Sequence, residues 1–266
     1  MTPTSRISLI EVSILTIAIG IAAAFFTGIL PKHRESGRIN VCASSLRALG
    51  SAMWIYANDG DTFPMATNAD RAGEMTAFSY RARLPGQGGV PSPTADLWIM
   101  LRINNATPRQ LNCPSSSDIP DPIDDTTTVF DFSGPQHLSY AYAYQYHPNR
   151  QPLGTGSNPV KPLLADANPI LKGGVTGSVM HDQQSMGRGN SRNHRTRSGQ
   201  NIGFVDGHVA FQKSPIINLA LGTRSQQVDP DNIYTTHAEN EPSDPGNAPT
   251  WTRIQIGSKS DYCLVP

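Results

Sequence analysis

The order of apolar and polar positions divides the chain into an apolar segment, an amphipathic segment and a polar remainder. Residues 12–30 form a run of nineteen residues without a charged side chain, rich in Ile, Ala and Phe. At about 1.5 Å per residue, a helix of this length matches the roughly 30 Å hydrocarbon core of a bilayer. Basic residues flank the run, Arg6 before it and Lys32 and Arg34 after it. We therefore expect a transmembrane helix over residues 7–30.

The amphipathic segment continues directly from this run. Its apolar positions alternate at spacings of three and four residues: Ile39, Cys42, Leu46, Leu49, Met53 and Tyr56. This spacing places the apolar side chains on one face of a helix. The polar residues 58–61 are typical of a turn, and Pro31 is a position at which a helix can kink. The pattern predicts that one long helix continues through residues 31–60 and packs on a head.

The remainder, residues 61–266, has the pattern of a loop-rich globular head. The chain contains 23 Gly and 22 Pro, which favours short strands joined by long connections. Alternating apolar residues in 201–211 flank Asp206 and Gly207, a pair preferred in type I′ turns. We expect a β-hairpin there and a last strand near 251–256. The expected fold class is α+β, a long N-terminal helix on a mainly antiparallel sheet with long loops.

Charge and short motifs narrow the function classes. Lys and Arg total 21, as do Asp and Glu, so no overall charge favours nucleic acid. The basic residues that cluster in the chain are Arg188, Arg192, Arg195 and Arg197. No aromatic residues interleave with them, which favours a solvated loop. Motifs of nucleophile elbows, phosphate loops and zinc proteases are missing from the sequence. We expect neither an enzyme, nor a small-molecule substrate, nor a nucleic-acid partner.

Candidate metal ligands are present, but their spacing does not match a known zinc or calcium motif. His194, Asp206 and His208 are suitable ligand types. Zinc sites need three or four convergent ligands, so hydrogen-bonded structural roles are the favoured interpretation and no metal is expected there. The acidic residues of a middle segment are Asp118, Asp121, Asp124, Asp125 and Asp131. They lack the regular spacing of an EF-hand, so no cofactor is expected, with calcium as the alternative.

Glu11 is a carboxylate at the start of the apolar run. Such a group is costly in an apolar environment and calls for a partner. Together with the run that follows, Ser8-Leu9-Ile10-Glu11-Val12 resembles the N-terminus of prepilins. The resemblance implies a leader over residues 1–6, cut by a prepilin peptidase between Arg6 and Ile7. It also implies that Glu11 pairs with the Ile7 amine of a neighbouring subunit.

Later segments extend the resemblance. They are Leu46-Arg47, Tyr56-Ala57-Asn58-Asp59, Asn112-Cys113-Pro114 and Leu138-Ser139-Tyr140. Together they resemble a family of prepilin-type proteins with a C-terminal His-x(9)-Asp-Gly element. His194, Asp206 and Gly207 stand at that element, with eleven intervening residues here. Arg6 stands where the family has Gly, so cleaved and uncleaved chains both remain open. The family pattern pairs Cys42 with Cys113, and Cys113 with Cys263 remains the alternative.

The resemblance also implies a location and a role. The chain is expected to be a single-pass inner-membrane protein, with a cytoplasmic N-terminus and its head in the periplasm or at the cell surface. It would be a structural subunit, pilin-like or pseudopilin-like, of a type IV pilus or a type II secretion-like apparatus. Its partners would be the inner membrane and other pilin-like subunits. The alternative is a membrane-tethered envelope module that binds a glycan or a protein and does not polymerise.

Overall fold

A computed structural model of the chain describes residues 8–24, 30–66, 93–122, 129–145, 151–169, 190–194, 198–220, 228–234 and 264–265. Within these ranges the helices are α1 (Leu9–Ala24), α2 (Leu30–Gly60) and α3 (Pro93–Arg102). The strands are β1 (Tyr140–Ala143), β2 (Pro162–Asp166), β3 (Gln200–Phe204), β4 (Val209–Gln212), β5 (Ile216–Ala220), β6 (Val228–Asn232) and β7 (Leu264–Val265).

The strands form two antiparallel sheets. The larger has the order β4-β3-β2-β1-β7, and β5 pairs with β6 in a separate two-stranded sheet. In the larger sheet Tyr140 lies opposite Asp166, and Ala165 lies opposite Ile202. Strands β1, β2 and β3 are buried along their whole length. They therefore form the centre of the core, where the sheet can hold a polar side chain away from water.

Helix α2 packs on this sheet through the stripe expected from its sequence. Cys42, Leu46, Leu49 and Met53 are fully buried in one core cluster with the strands. The helix contacts β2, β3 and β4. Asn40, on the opposite face, is exposed, and so is Arg38 beside the stripe. The coarse prediction, an α+β fold with a helix on an antiparallel sheet, is confirmed.

The expected hairpin is present, but its turn is not the expected type. β3 and β4 pair antiparallel around residues 205–207. Gly207 has φ +86°, whereas Asp206 is not among the residues with positive φ. The carbonyl of Phe204 accepts a hydrogen bond from the Gly207 amide at 2.9 Å. This is the three-residue loop in which a type I turn precedes a left-handed Gly. A type I′ turn, which needs two positive φ values, was the wrong prediction.

The predicted membrane localisation requires correction. Within the ranges the structure describes, no helix is both long enough and apolar enough to cross a membrane. α1 is apolar over its described residues, Leu9–Ala24, apart from Glu11. α2 has 31 residues but carries several charged side chains. The prediction of a single-pass inner-membrane protein with an exported head is therefore wrong.

Several sequence predictions concern residues outside the described ranges. They include the leader over 1–6, the last strand near 251–256 and the alternative disulfide partner Cys263. Residues 25–29, between α1 and α2, also lie outside the described ranges, so the predicted kink at Pro31 stays a prediction.

Candidate functional site

The candidate site is a polar cluster centred on the buried side chain of His194. The imidazole is 0% exposed and lies between two carboxylates from different elements. Its Nδ1 is 2.7 Å from Oε1 of Glu35, near the start of α2. Its Nε2 is 3.4 Å from Oδ2 of Asp166, the last residue of β2. A single ring thus connects the helix to the centre of the sheet.

Glu35 is held in place by donors on both of its oxygens. The Ser115 hydroxyl donates to Oε1 at 2.8 Å, and the Arg38 guanidinium lies 3.9 Å from Oε2. The Glu35 side chain is 8% exposed, whereas that of Arg38 is half-exposed. A buried carboxylate is stable only when such partners replace the lost water. The orientation of Glu35, and through it that of His194, is therefore fixed.

Asp166 is the most deeply enclosed charge-bearing group of the cluster. Its Oδ2 accepts hydrogen bonds from the backbone and side-chain amides of Asn201, at 2.6 and 3.2 Å. Its Oδ1 accepts one from Asn193 at 3.3 Å. Burial raises the pKa of Asp166 above its ordinary value, and the nearby His194 and the asparagine donors oppose that rise. These donors also orient the carboxylate toward the imidazole.

Tyr234 supports the backbone at the same place. Its hydroxyl donates a hydrogen bond of 2.8 Å to the carbonyl oxygen of Asp166. Burial, reinforced by the Asp166 charge, raises the pKa of Tyr234 well above its ordinary value. This rise favours the protonated phenol, which is the form that donates the hydrogen bond.

A disulfide between Cys42 and Cys113 borders the cluster. The two Cα atoms are 5.4 Å apart, and the bridge joins α2 to the loop after α3. Closing a loop of this size, with a sequence separation of 71, contributes about 4 kcal/mol in the chain-entropy model. The sulfur of Cys113 lies 3.7 Å from Nε2 of His194.

The composition of the cluster decides what chemistry it can support. Among the described residues, four side chains bring one ligand atom each within 4.8 Å of one another: Cys42, Cys113, Asp166 and His194. All four side chains are buried. The arrangement supports cross-linking of helix, loop and sheet, and it has the donor types of a metal site.

The family-pattern residues do not form one site. His194 is in the buried cluster, whereas Asp206 and His208 lie on the exposed turn beyond the other end of β3. There His208 Nδ1 contacts Asp206 Oδ1, and the His208 ring stacks on Phe204 with centroids 4.2 Å apart. A joint metal site of His194, Asp206 and His208 is not formed. Gly207 serves the turn through its positive φ.

The contact with His208 changes the pKa of Asp206. Partial burial raises the pKa of Asp206, but hydrogen bonds from the backbone and ring of His208 outweigh it and lower that pKa overall. The His208 backbone amide donates to Oδ1 of Asp206 at 3.0 Å. The carboxylate therefore acts as a local cap for the turn, which explains why a short polar residue stands there.

Glu11 lies at the start of α1 and takes part in a capping box. The Ser8 amide donates to Oε2 of Glu11 at 2.8 Å, and the Glu11 amide donates to the Ser8 hydroxyl at 3.3 Å. This reciprocal pair satisfies two amides that a helix start leaves open. Arg6 and Ile7, the predicted processing positions, lie outside the described residues. The predicted pairing of Glu11 with a neighbouring amine stays a prediction.

The acidic residues considered for calcium contact separate partners. Ser139 donates to Asp118 at 2.6 Å, Ser133 donates to Asp121 at 2.7 Å, and Thr94 donates to Asp131 at 2.7 Å. These bonds tie loops together. Asp124 and Asp125 lie outside the described residues.

Of the basic cluster, Arg192 donates to the carbonyl of Pro169 at 3.3 Å. The contact joins the segment before β3 to the segment after β2, within the chain. The other members, Arg188, Arg195 and Arg197, lie outside the described residues.

No family model, no curated protein and no solved structure matches the chain. The resemblance to prepilin-type proteins stays a prediction from the motifs quoted above.

Sequence reasoning missed Glu35 and Asp166, although each leaves a signal. Glu35 precedes Ile39 by four residues, so it continues the buried stripe of α2 as a charged member of an apolar face. Asp166 ends the apolar strand that contains Leu163, Leu164 and Ala165. A carboxylate on a buried face needs a partner, and that requirement could have directed attention to His194.

Proposed function

We propose that the chain is a pilin-like structural subunit that assembles with copies of itself through α1, in a type IV pilus or type II secretion-like apparatus. The observation that carries the proposal is that α1 is apolar around its circumference, while none of its residues is buried by the described part of the chain. A helix that is apolar on all sides belongs in a buried environment. Since its own head does not provide one, neighbouring subunits would.

The energetic argument follows from the side chains of α1. Its large exposed residues are Leu9, Ile10, Val12, Ile14, Leu15, Ile17, Ile19 and Ile21. Burying one such side chain completely is worth about 1.5–3 kcal/mol. Partial burial of several of them against neighbouring helices would offset the loss of free motion on association.

Unlike α1, the helix α2 of the head buries its apolar stripe. The stripe packs against the sheet of the same chain, within the core that the described residues form. The disulfide and the His194 cluster further tie α2 to the head. The contrast between the buried stripe of α2 and the exposed side chains of α1 supports α1 as the assembly surface. The resemblance of residues 8–12 to a prepilin start favours identical or pilin-like copies as the occupants.

The proposal is tested with two matched substitutions in the full chain. Ile17 on α1 is 63% exposed and Ile55 on α2 is 62% exposed. Ile17→Gln and Ile55→Gln therefore place the same polar side chain at equally accessible helical positions. We expect sedimentation velocity to show that Ile17→Gln reduces the assembled fraction while Ile55→Gln leaves it at the wild-type level. Equal assembly of the two variants would count against α1 as the contact. A wild-type chain that stays monomeric would favour a binding module that does not polymerise.

A further inference from the structure

We propose that the reduced chain binds one Zn²⁺ ion through Cys42 Sγ, Cys113 Sγ, His194 Nε2 and a carboxylate oxygen of Asp166. These four side chains come from α2, from the loop after α3, from the segment before β3 and from β2. Their ligand atoms lie within 4.8 Å of one another, and all four residues are buried. The site is independent of assembly through α1.

Two of the distances between ligand atoms match the edges of a tetrahedral zinc site. With the usual bond lengths to sulfur, nitrogen and oxygen, the S···N edge is about 3.6 Å and the N···O edge about 3.3 Å. The observed distances are 3.7 Å from Cys113 Sγ to His194 Nε2 and 3.4 Å from that nitrogen to Asp166 Oδ2. Two thiolates on zinc lie about 3.8 Å apart, so breaking the S–S bond frees the sulfurs to reach that spacing.

The groups behind the ligands are also those of a metal site. Zinc-binding histidines usually donate their second ring N–H to a carboxylate, which fixes the tautomer. Here Nδ1 of His194 is 2.7 Å from Glu35 Oε1, so Nε2 can present its lone pair to the metal. Ser115 holds Glu35 in turn. Asn193 and Asn201 donate hydrogen bonds to the Asp166 carboxylate and orient it.

The donor set selects the metal. Two thiolates and an imidazole suit zinc and exclude the oxygen-preferring ions magnesium and calcium. Two thiolates and one carboxylate also balance the charge of Zn²⁺ and leave one negative charge. The amide donors on Asp166 stabilise that remaining charge, and the Arg38 guanidinium lies beside the separate carboxylate of Glu35.

The disulfide and the metal are alternative states of the same two sulfurs. A dithiol reductant transfers two electrons and two protons to the S–S bond, which breaks to give two thiols while the reductant becomes a disulfide. Zinc then displaces the two thiol protons to solvent as the Zn–S bonds form. In both states α2 remains joined to the loop after α3, through a covalent bond in one and through the ion in the other.

The test uses the full chain carrying Cys263→Ser, which removes the third cysteine and keeps all four proposed ligands. After reduction and removal of the reductant, the chain is titrated with Zn²⁺ and, separately, with Co²⁺ as a spectroscopic probe. We expect one metal ion per chain, proton release on binding, and the intense visible absorption of tetrahedral Co²⁺ with thiolate ligands. The oxidised chain should give neither that stoichiometry nor that spectrum.

Two variants distinguish the loss of a metal ligand from the loss of Glu35, which holds the ligand His194 in place. Cys113→Ser removes a ligand and should abolish the thiolate–Co²⁺ spectrum. Glu35→Gln keeps all four ligands and should weaken zinc binding by about 10- to 100-fold while leaving one ion per chain. If the reduced chain loses structure without metal, circular dichroism should show that zinc restores it, because metal binding supplies folding free energy.

Three results would overturn the proposal. One is a reduced, folded chain that binds no more zinc than Cys113→Ser. Another is a weak Co²⁺ spectrum typical of octahedral oxygen ligands. The last is a reduced, unfolded chain that zinc does not refold.

Discussion

At the scale of single residues, His194 and Glu35 join parts of the chain that are 159 positions apart. Their contact is short and fully enclosed, so each residue needs the other to remain buried. Asp166 and Cys113 then surround the ring on its Nε2 side. The family-pattern histidine therefore has a defined place, at the junction of helix and sheet rather than at the hairpin turn.

Glu11 provides a residue-scale prediction that separates charge from helix capping. Gln can replace Glu in a capping box, but it cannot form an ion pair with a neighbouring amine. We expect Glu11→Gln to retain the helical circular dichroism of the wild type and to lose assembly in sedimentation. Glu11→Ala should lose assembly and about 1 kcal/mol of helix-start stability as well. Normal assembly of Glu11→Gln would show that the carboxylate only caps α1.

Asp206 provides a prediction for pH. Hydrogen bonds from His208 outweigh partial burial and lower the folded-state pKa of Asp206 below the ordinary 3.8. A depressed carboxyl pKa stabilises the fold above the unfolded-state value, and the contribution disappears as the pH falls through the folded-state value. The turn is exposed, so the contribution at neutral pH is under about 1 kcal/mol.

The comparison of wild type with Asp206→Asn measures that contribution. Urea unfolding should show a less stable Asn variant at pH 6, with the difference shrinking below pH 3.8. A difference that stays constant over this range would rule out the ionised Asp206 as its source.

At the scale of elements, the sequence pattern predicted the features that depend on neighbouring residues, namely the buried stripe of α2 and the β3–β4 hairpin. The stripe of α2 from Cys42 to Met53 followed from helical periodicity, and the hairpin followed from alternation around Asp206 and Gly207. The turn type was wrong because Asp is compatible with either turn, and only the backbone geometry distinguishes them. The partners of His194 could not be predicted, because Glu35 and Asp166 approach it only when helix and sheet pack together.

The packing of α2 gives the prediction at this scale. Leu49 is 1% exposed in the core, whereas Ile55 on the same helix is 62% exposed. Leu49→Ala should lower the free energy of unfolding by about 2–5 kcal/mol, because it leaves a cavity against the sheet. Ile55→Ala should change it by less than about 0.5 kcal/mol. Urea unfolding of the oxidised chains checks both values, and similar losses for the two variants would contradict the observed packing.

At the scale of the whole molecule, the fold combines a closed head with an apolar helix that the described head leaves exposed. The head has its own core, its own disulfide and a buried polar cluster that holds α2 on the sheet. The expected membrane localisation is wrong, because no helix among the described residues is both long enough and apolar enough to cross a membrane. α1 remains an apolar helix that the described head does not bury, and the proposed subunit assembly would cover it.

The most direct test of that account is the state of the purified full chain in solution. Sedimentation velocity over a range of concentrations, followed by electron microscopy of the same samples, measures it. The account predicts ordered assemblies of uniform width whose fraction rises with concentration and falls in Ile17→Gln. A monomer of 28.7 kDa at every concentration would contradict it.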